Sequence, residues 1–136
     1  MKIKLDEGAF APIREHETDA GLDLRSPICT VVPAKGSVVI STGVHVELPP
    51  GTVGLLKSKS GLNVRHGLLS EGVIDIGYTG AIAVKLYNHS NEDYPIFRGD
   101  KISQLVIVEC YFPDIEMVDS LAETERGNNG FGSTGR

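Results

Sequence analysis

The side chains best equipped for chemistry lie in short segments spread along the chain. Asp75, within Gly72-Val73-Ile74-Asp75-Ile76-Gly77-Tyr78-Thr79-Gly80, is a carboxylate between two isoleucines with Tyr78 close behind. An acid in a Gly-containing turn can serve the turn alone; in a partly dry pocket it can act as a general base. Asp23, in Ala20-Gly21-Leu22-Asp23-Leu24, sits between apolar neighbours and reads as an outward carboxylate on a half-exposed strand. Lys57 and Lys59 precede Ser60-Gly61-Leu62-Asn63-Val64-Arg65-His66-Gly67, a segment with an N-cap residue, Ser60, at its start and a glycine at its stop. Outward amides at such a helix start, beside two ammonium groups, attract phosphate.

Gln104 interrupts an apolar row made by Ile102, Val106, Val108 and Cys110. A buried amide needs partners, so it is either bonded to backbone or placed where the strand faces a polar site. The C-terminal stretch Arg126-Gly127-Asn128-Asn129-Gly130-Phe131-Gly132-Ser133-Thr134-Gly135-Arg136 admits two readings. A Gly-rich terminus is commonly disordered. Successive amides there can also form an anion nest, with Ser133, Thr134 and Arg126 adding donors and charge. Phe131 would then stack on a base, and the tail would close over a nucleotide as a lid.

The elements that must hold these groups are strands. Glycine and proline recur at short intervals from Pro12 to Pro113, which suits many short strands and few helices. Val44, Val46 and Leu48 alternate with polar residues, as do Ile82, Val84 and Leu86, and Ile102 to Tyr111 forms a third strand. Gly72 to Gly80 reads as a hairpin before the Ile82 strand, Arg98 to Leu105 as a tight turn entering the Gln104 strand, and Asp114 to Glu125 fits strand or helix.

The chain has 136 residues, which fits one domain. A net charge of -5 excludes a general duplex nucleic-acid binder or anionic-membrane binder. No apolar run approaches a membrane span and the start has no signal-peptide character, so a cytoplasmic address is expected. Cys29 and Cys110 have no metal-ligand spacing and are expected as reduced core residues. The histidines show no zinc pattern.

In this order, the segments closely resemble the motifs of the homotrimeric dUTP diphosphatase family: Ala20 to Leu24, Gly51 to Leu62, Gly72 to Gly80, Arg98 to Leu105, and Arg126 to Gly135. The resemblance implies an all-β fold, a distorted jelly-roll or β-clip-like barrel with one short helix and a flexible Gly-rich C-terminal arm. It divides the chain into residues 1–125, the folded domain, and 126–136, an arm closing the active site of another subunit. It implies hydrolysis of dUTP to dUMP and pyrophosphate, which limits uracil in DNA and supplies dUMP for thymidylate synthesis.

By the same resemblance, Asp75 activates the water that attacks the α-phosphorus. Lys59, Ser60, Gly61, Gln104, Arg126, Phe131, Gly132, Ser133 and Thr134 join Gly72, Ile74 and Tyr78 in binding substrate. Mg2+ is held mainly by the triphosphate, with Asp23 and Gln104 reaching it through water. Backbone groups around Gly72 to Tyr78 would pair with uracil O4 and N3–H, leaving cytosine with unpaired groups, and Tyr78 would exclude a ribose 2′-hydroxyl. Lys59 stands where the family commonly has Arg, Gly77 where many members have Asp, and Asn128 and Asn129 replace a glycine-richer stretch. Two other readings are a dCTP deaminase, opposed by Lys85 where that family carries a glutamate, and a non-catalytic trimeric nucleotide-sensing module.

Overall fold

The structure is a computed structural model and describes residues 1–129. Strands dominate, as expected: β1 (Lys2–Leu5), β2 (Gly21–Arg25), β3 (Thr30–Val32), β4 (Ser37–Ser41), β5 (Val44–Glu47), β6 (Thr52–Lys57), β7 (Leu68–Leu69), β8 (Glu71–Ile74), β9 (Ala83–Asn88), β10 (Tyr94–Ile96) and β11 (Lys101–Glu109), with a single helix α1 (Ser60–His66). The all-β, distorted jelly-roll expectation holds, but the strands do not close one barrel. They form separate sheets among the described residues: β2-β11-β6-β8, β4-β9-β7, β1-β5 and β10-β3.

The core lies where the two larger sheets face each other. Leu24, Leu56, Ile74, Ile102 and Leu105 come from the first; Ile40, Leu68, Val84 and Leu86 come from the second; Val44, Ile82 and Ile96 fill in around them. β9 shows the period-two pattern most cleanly, burying Val84, Leu86 and Asn88 while Ala83, Lys85 and Tyr87 face out. Asn88 is tolerated inside because its amide donates to the carbonyls of Val32 and Glu92. No helix among the described residues is long and apolar enough to cross a membrane.

Several local expectations change. Gly72 to Gly80 is not a hydrogen-bonded hairpin: β8 pairs with β6, whereas β9 pairs with β4 and β7, so the segment crosses between sheets. The N-cap of α1 is Lys59 rather than Ser60, and it makes no side-chain capping bond; Gly67 ends the helix in the left-handed conformation, as its position implied. Asp114 to Glu125 is neither strand nor helix. Cys29 is exposed and Cys110 half-buried, both as free thiols, so neither belongs to the core. A register shift between Lys101 and Ser103 removes Ile102 from the Gln104 row. This bulge lets Ile102 and Ser103 both point inward, leaving Gln104 on the more open face with Val106 and Val108.

Candidate functional site

One half of the site is a charge cluster built on the central strands. Gln104 lies opposite Asp23 on one side and Lys57 on the other. Asp23 is buried, contrary to the outward position expected, because its strand turns that face toward Lys59 and Lys101. Lys59 Nζ donates to one carboxylate oxygen at 2.5 Å and Lys101 Nζ to the other at 2.9 Å. Lys101 Nζ also reaches Glu15 at 2.7 Å. Burial pushes the Asp23 carboxyl up, but the two lysine bonds and charges outweigh it and hold the group below its usual range. Glu15, then Asp23, hold Lys101 above its usual value.

Half-buried Ser58 and buried Ser70 and Ser103 fix the backbone that carries Lys59. Ser58 Oγ accepts from the Ser70 amide at 2.9 Å, Ser70 Oγ pairs with Ser103 Oγ at 2.8 Å, and Ser103 Oγ donates to the Lys57 carbonyl at 3.1 Å. Gln104 Nε2 donates to the Ser58 carbonyl at 3.1 Å, so its amide is bonded to backbone, and it lies in register between Asp23 and Lys57. Its side chain lies against Gly21, where an added Cβ would clash with it. Neither lysine preceding the helix stands free for phosphate, since Lys57 pairs with Glu71 at 2.9 Å. Lys101, Ser70 and Ser103 were not singled out from sequence. The Lys101 contact depends on the bulge, and the serines depend on pairings between distant strands.

The second half is the loop after β8. β8 is an edge strand, with β6 on one side and no strand on the other among the described residues. Half of its amides and carbonyls therefore point to an open edge. The chain then turns, with the Tyr78 amide donating to the Asp75 carbonyl at 3.0 Å. Tyr78 Oη donates to the Ala81 carbonyl at 2.9 Å. The ring folds over Gly80, where a Cβ would come within 2.5 Å of Tyr78 Oη. Asp75, Ile76 and Tyr78 are exposed, so this chain alone does not form the partly dry pocket expected around Asp75.

The two halves do not meet within one chain. Glu71 lies opposite Lys57 and Ile74 opposite Gly54. Asp75 is therefore roughly 13 Å along β8 from the level of Gln104, at about 3.3 Å per residue, while Ser60 lies beyond Lys57 in the other direction. Ser60 and Gly61 are exposed, and a Cβ at Gly61 would meet nothing within 4 Å. Lys85 is on the outer face of β9 with its ammonium 4.8 Å from the Tyr87 ring. Arg126 is exposed and its Nε donates to the Asn129 carbonyl. Phe131, Gly132, Ser133 and Thr134 lie outside the described residues.

A sequence profile described as dUTPase matches residues 8–135. The chain belongs to the dUTPase family. It is 43% identical over 133 residues to a deoxyuridine 5'-triphosphate nucleotidohydrolase of Paramecium bursaria Chlorella virus 1, covering 97% of this chain and 94% of that one. Its identity to the Arabidopsis thaliana counterpart is also 43%, over 97% of this chain and 80% of that protein. The structure superposes on the dUTPase of Staphylococcus bacteriophage 80alpha, solved with dUpNHpp, at a TM-score of 0.91 and 34% identity, covering 99% and 98% of the two chains. A point mutant of the dUTPase of phage phi11 of S. aureus, at a TM-score of 0.81 and 32% identity over 88% of this chain and 96% of that one, is described as coordinating a structural Mg(II) ion.

The donors here can be weighed against such an ion. No group of three or more His, Cys, Asp or Glu residues converges among the described residues. Both Asp23 oxygens already accept from ammonium groups. The described residues therefore form no cation cage of their own, so an ion here would have to take most of its ligands from elsewhere.

Proposed function

We propose that this protein hydrolyses dUTP to dUMP and pyrophosphate in sites shared between the subunits of a homotrimer. The observation that carries the reading is the open edge of β8 running directly into the Asp75 turn. A free strand edge presents alternating N–H and C=O groups at fixed spacing, which matches the acceptor O4 and donor N3–H of uracil. Cytosine has the opposite polarity at these positions and would leave buried groups unpaired. Gly72 and Ile74 belong to this edge strand, and Tyr78, held over Gly80, blocks the space of a ribose 2′-hydroxyl.

Asp75 follows the edge immediately, so a base docked there brings its own phosphates past this carboxylate. Asp75 accepts a proton from water as the oxygen attacks the α-phosphorus in line, and the bond to the bridging oxygen breaks. Pyrophosphate leaves with growing negative charge. Ser60 and the open amides at the start of α1, with Gly61 allowing close approach, meet that charge, and Lys59 adds a positive field. When bound, Mg2+ neutralises the triphosphate. Asp23 acts mainly by aligning Lys59 and Lys101, and Gln104 faces the phosphates from the same cluster.

The roughly 13 Å and more between Asp75 and the Lys59–Ser60 end supports sites assembled from different copies. So does the exposed apolar run after β11: Tyr111, Ile115, Met117 and Leu121 are each more than 85% exposed, more apolar surface than a lone chain usually leaves in water. In this reading residues 126–136 form the closing arm, with Arg126, Phe131, Gly132, Ser133 and Thr134 on the bound nucleotide. The protein works in the cytoplasm.

The test is pyrophosphate release from dUTP, dCTP, dTTP, UTP and dATP with Mg2+, with and without EDTA, and identification of the nucleoside product. Release from dUTP alone, yielding dUMP and lost with EDTA, is the expected result. No release from any nucleotide would leave a binding module. A deaminated product from dCTP would put Lys85 in conflict with the chemistry.

A further inference from the structure

His45 connects the loop carrying Tyr78 to the N-terminal strands. It lies on β5 opposite Lys4 of β1. Its Nδ1 is 2.8 Å from the Thr79 carbonyl and its Nε2 is 3.1 Å from Asp6 Oδ1. Both partners are obligate acceptors at neutral pH, so only the imidazolium, with two N–H donors, satisfies both. The ring is largely covered, at 18% side-chain exposure. Around it, the loop is fastened by the Asp75–Tyr78 turn and by Ile82, whose amide donates to the Val44 carbonyl. Between those points the His45 bond to Thr79 is the side-chain tether from outside the loop among the described residues.

We propose that protonated His45 is a positioning residue that anchors the Thr79 carbonyl and so sets the Tyr78–Gly80 wall of the nucleoside site. The proposal rests on the dUTP reading above. The bond to Thr79, then that to Asp6, hold the ring's pKa above its usual 6.5, opposed by burial and by Lys4. The other charges facing it, Lys2 and Glu47, are paired to each other at 2.8 Å. When the ring loses a proton, the remaining N–H stays with the Asp6 carboxylate, because that bond is charge-assisted. Thr79 is then the partner released. A group with a raised folded pKa gives its full effect below 6.5 and loses it as pH rises through the higher folded value.

Steady-state kinetics on the wild type, His45→Ala and His45→Asn between pH 6 and 9 test this, alongside NMR titration of the His45 ring and the Gly80 amide nitrogen. The amide of Asn replaces Nδ1–H without titrating. The expected KM ratio of H45A to wild type is about three- to tenfold at pH 6, the worth of one lost hydrogen bond, falling toward one at pH 9, with kcat little changed. H45N should hold a low KM across the range. The Gly80 shift should follow the His45 ring in wild type only. A KM ratio constant with pH, or a Gly80 signal indifferent to the ring, would overturn the proposal. Absence of dUTP turnover in wild type would strike the functional reading instead, and the Gly80 titration would then decide the anchor by itself.

Discussion

Replacing Asp23 by Asn tests whether one carboxylate holds the two lysines of its charge cluster. Asp23 is 5% exposed, and each of its oxygens accepts from a different ammonium, Lys59 at 2.5 Å and Lys101 at 2.9 Å. Asn has the same shape without the charge; it keeps one acceptor and turns an N–H toward the other ammonium. Removing one partner from a fully buried ion pair costs about 3–5 kcal/mol. Lys59 and Lys101 keep 28% and 33% side-chain exposure and can turn to water, which lowers the expected loss from Asp23 to about 2 kcal/mol. For a chain of this length that is roughly 6–10 °C in Tm. The depressed Asp23 pKa adds a pH signature. Its stabilisation is present above the unfolded value of 3.8 and is lost as pH falls through the lower folded value. Urea unfolding of both proteins at one fixed concentration, between pH 7 and pH 3, should show a constant gap down to about pH 5 that narrows below 3.8. Equal stability at pH 7, or a gap unchanged in acid, would refute the role given to Asp23.

Asp75→Asn should lower kcat by about a thousandfold, the usual scale of general-base loss, while dUTP affinity by calorimetry stays near wild type. Gly80→Ala pushes a Cβ to within 2.5 Å of Tyr78 Oη; the displaced ring should raise the UTP-to-dUTP ratio of kcat/KM about tenfold, with the fold unchanged by circular dichroism. Truncation before Arg126 should reduce turnover of dUTP and leave the melting transition of the domain in place.

The strand content was legible because β9 and β5 alternate cleanly and because glycine and proline mark their ends. The residues of the Asp75 segment were legible, but their arrangement was not. A glycine-bounded stretch before an alternating strand suggests a hairpin, and only the pairing of Glu71–Ile74 with β6 reveals that the segment crosses between sheets. Asp23 was misplaced for a related reason. Alternation gives the period of a strand but not which face is covered, and the face is decided here by Lys59 and Lys101 arriving from distant segments. The bulge at Ile102 has no local sequence mark, yet it sets which neighbours Gln104 keeps.

What the fold leaves apart is as informative as what it joins. Asp75 and Ser60 sit toward opposite ends of the β6–β8 pairing, and both are exposed. If each site takes Asp75 from one subunit and Ser60 from another, two inactive variants must complement each other. Asp75→Asn removes the proposed base. Ser60→Glu places an acid in the first turn of α1, where it suits the helix but repels a triphosphate. Each variant alone should be inactive. In trimers refolded from an equal mixture, a site draws an intact Asp75 with probability one half and an intact Ser60 with probability one half. About a quarter of the sites should therefore be whole, and about a quarter of wild-type turnover should return. A site built within one chain would recover nothing, because every chain in the mixture carries one of the two lesions. Recovery near zero, with mixed trimers verified by native mass spectrometry, would place Asp75 and Ser60 in the same subunit's site and remove the shared-site reading.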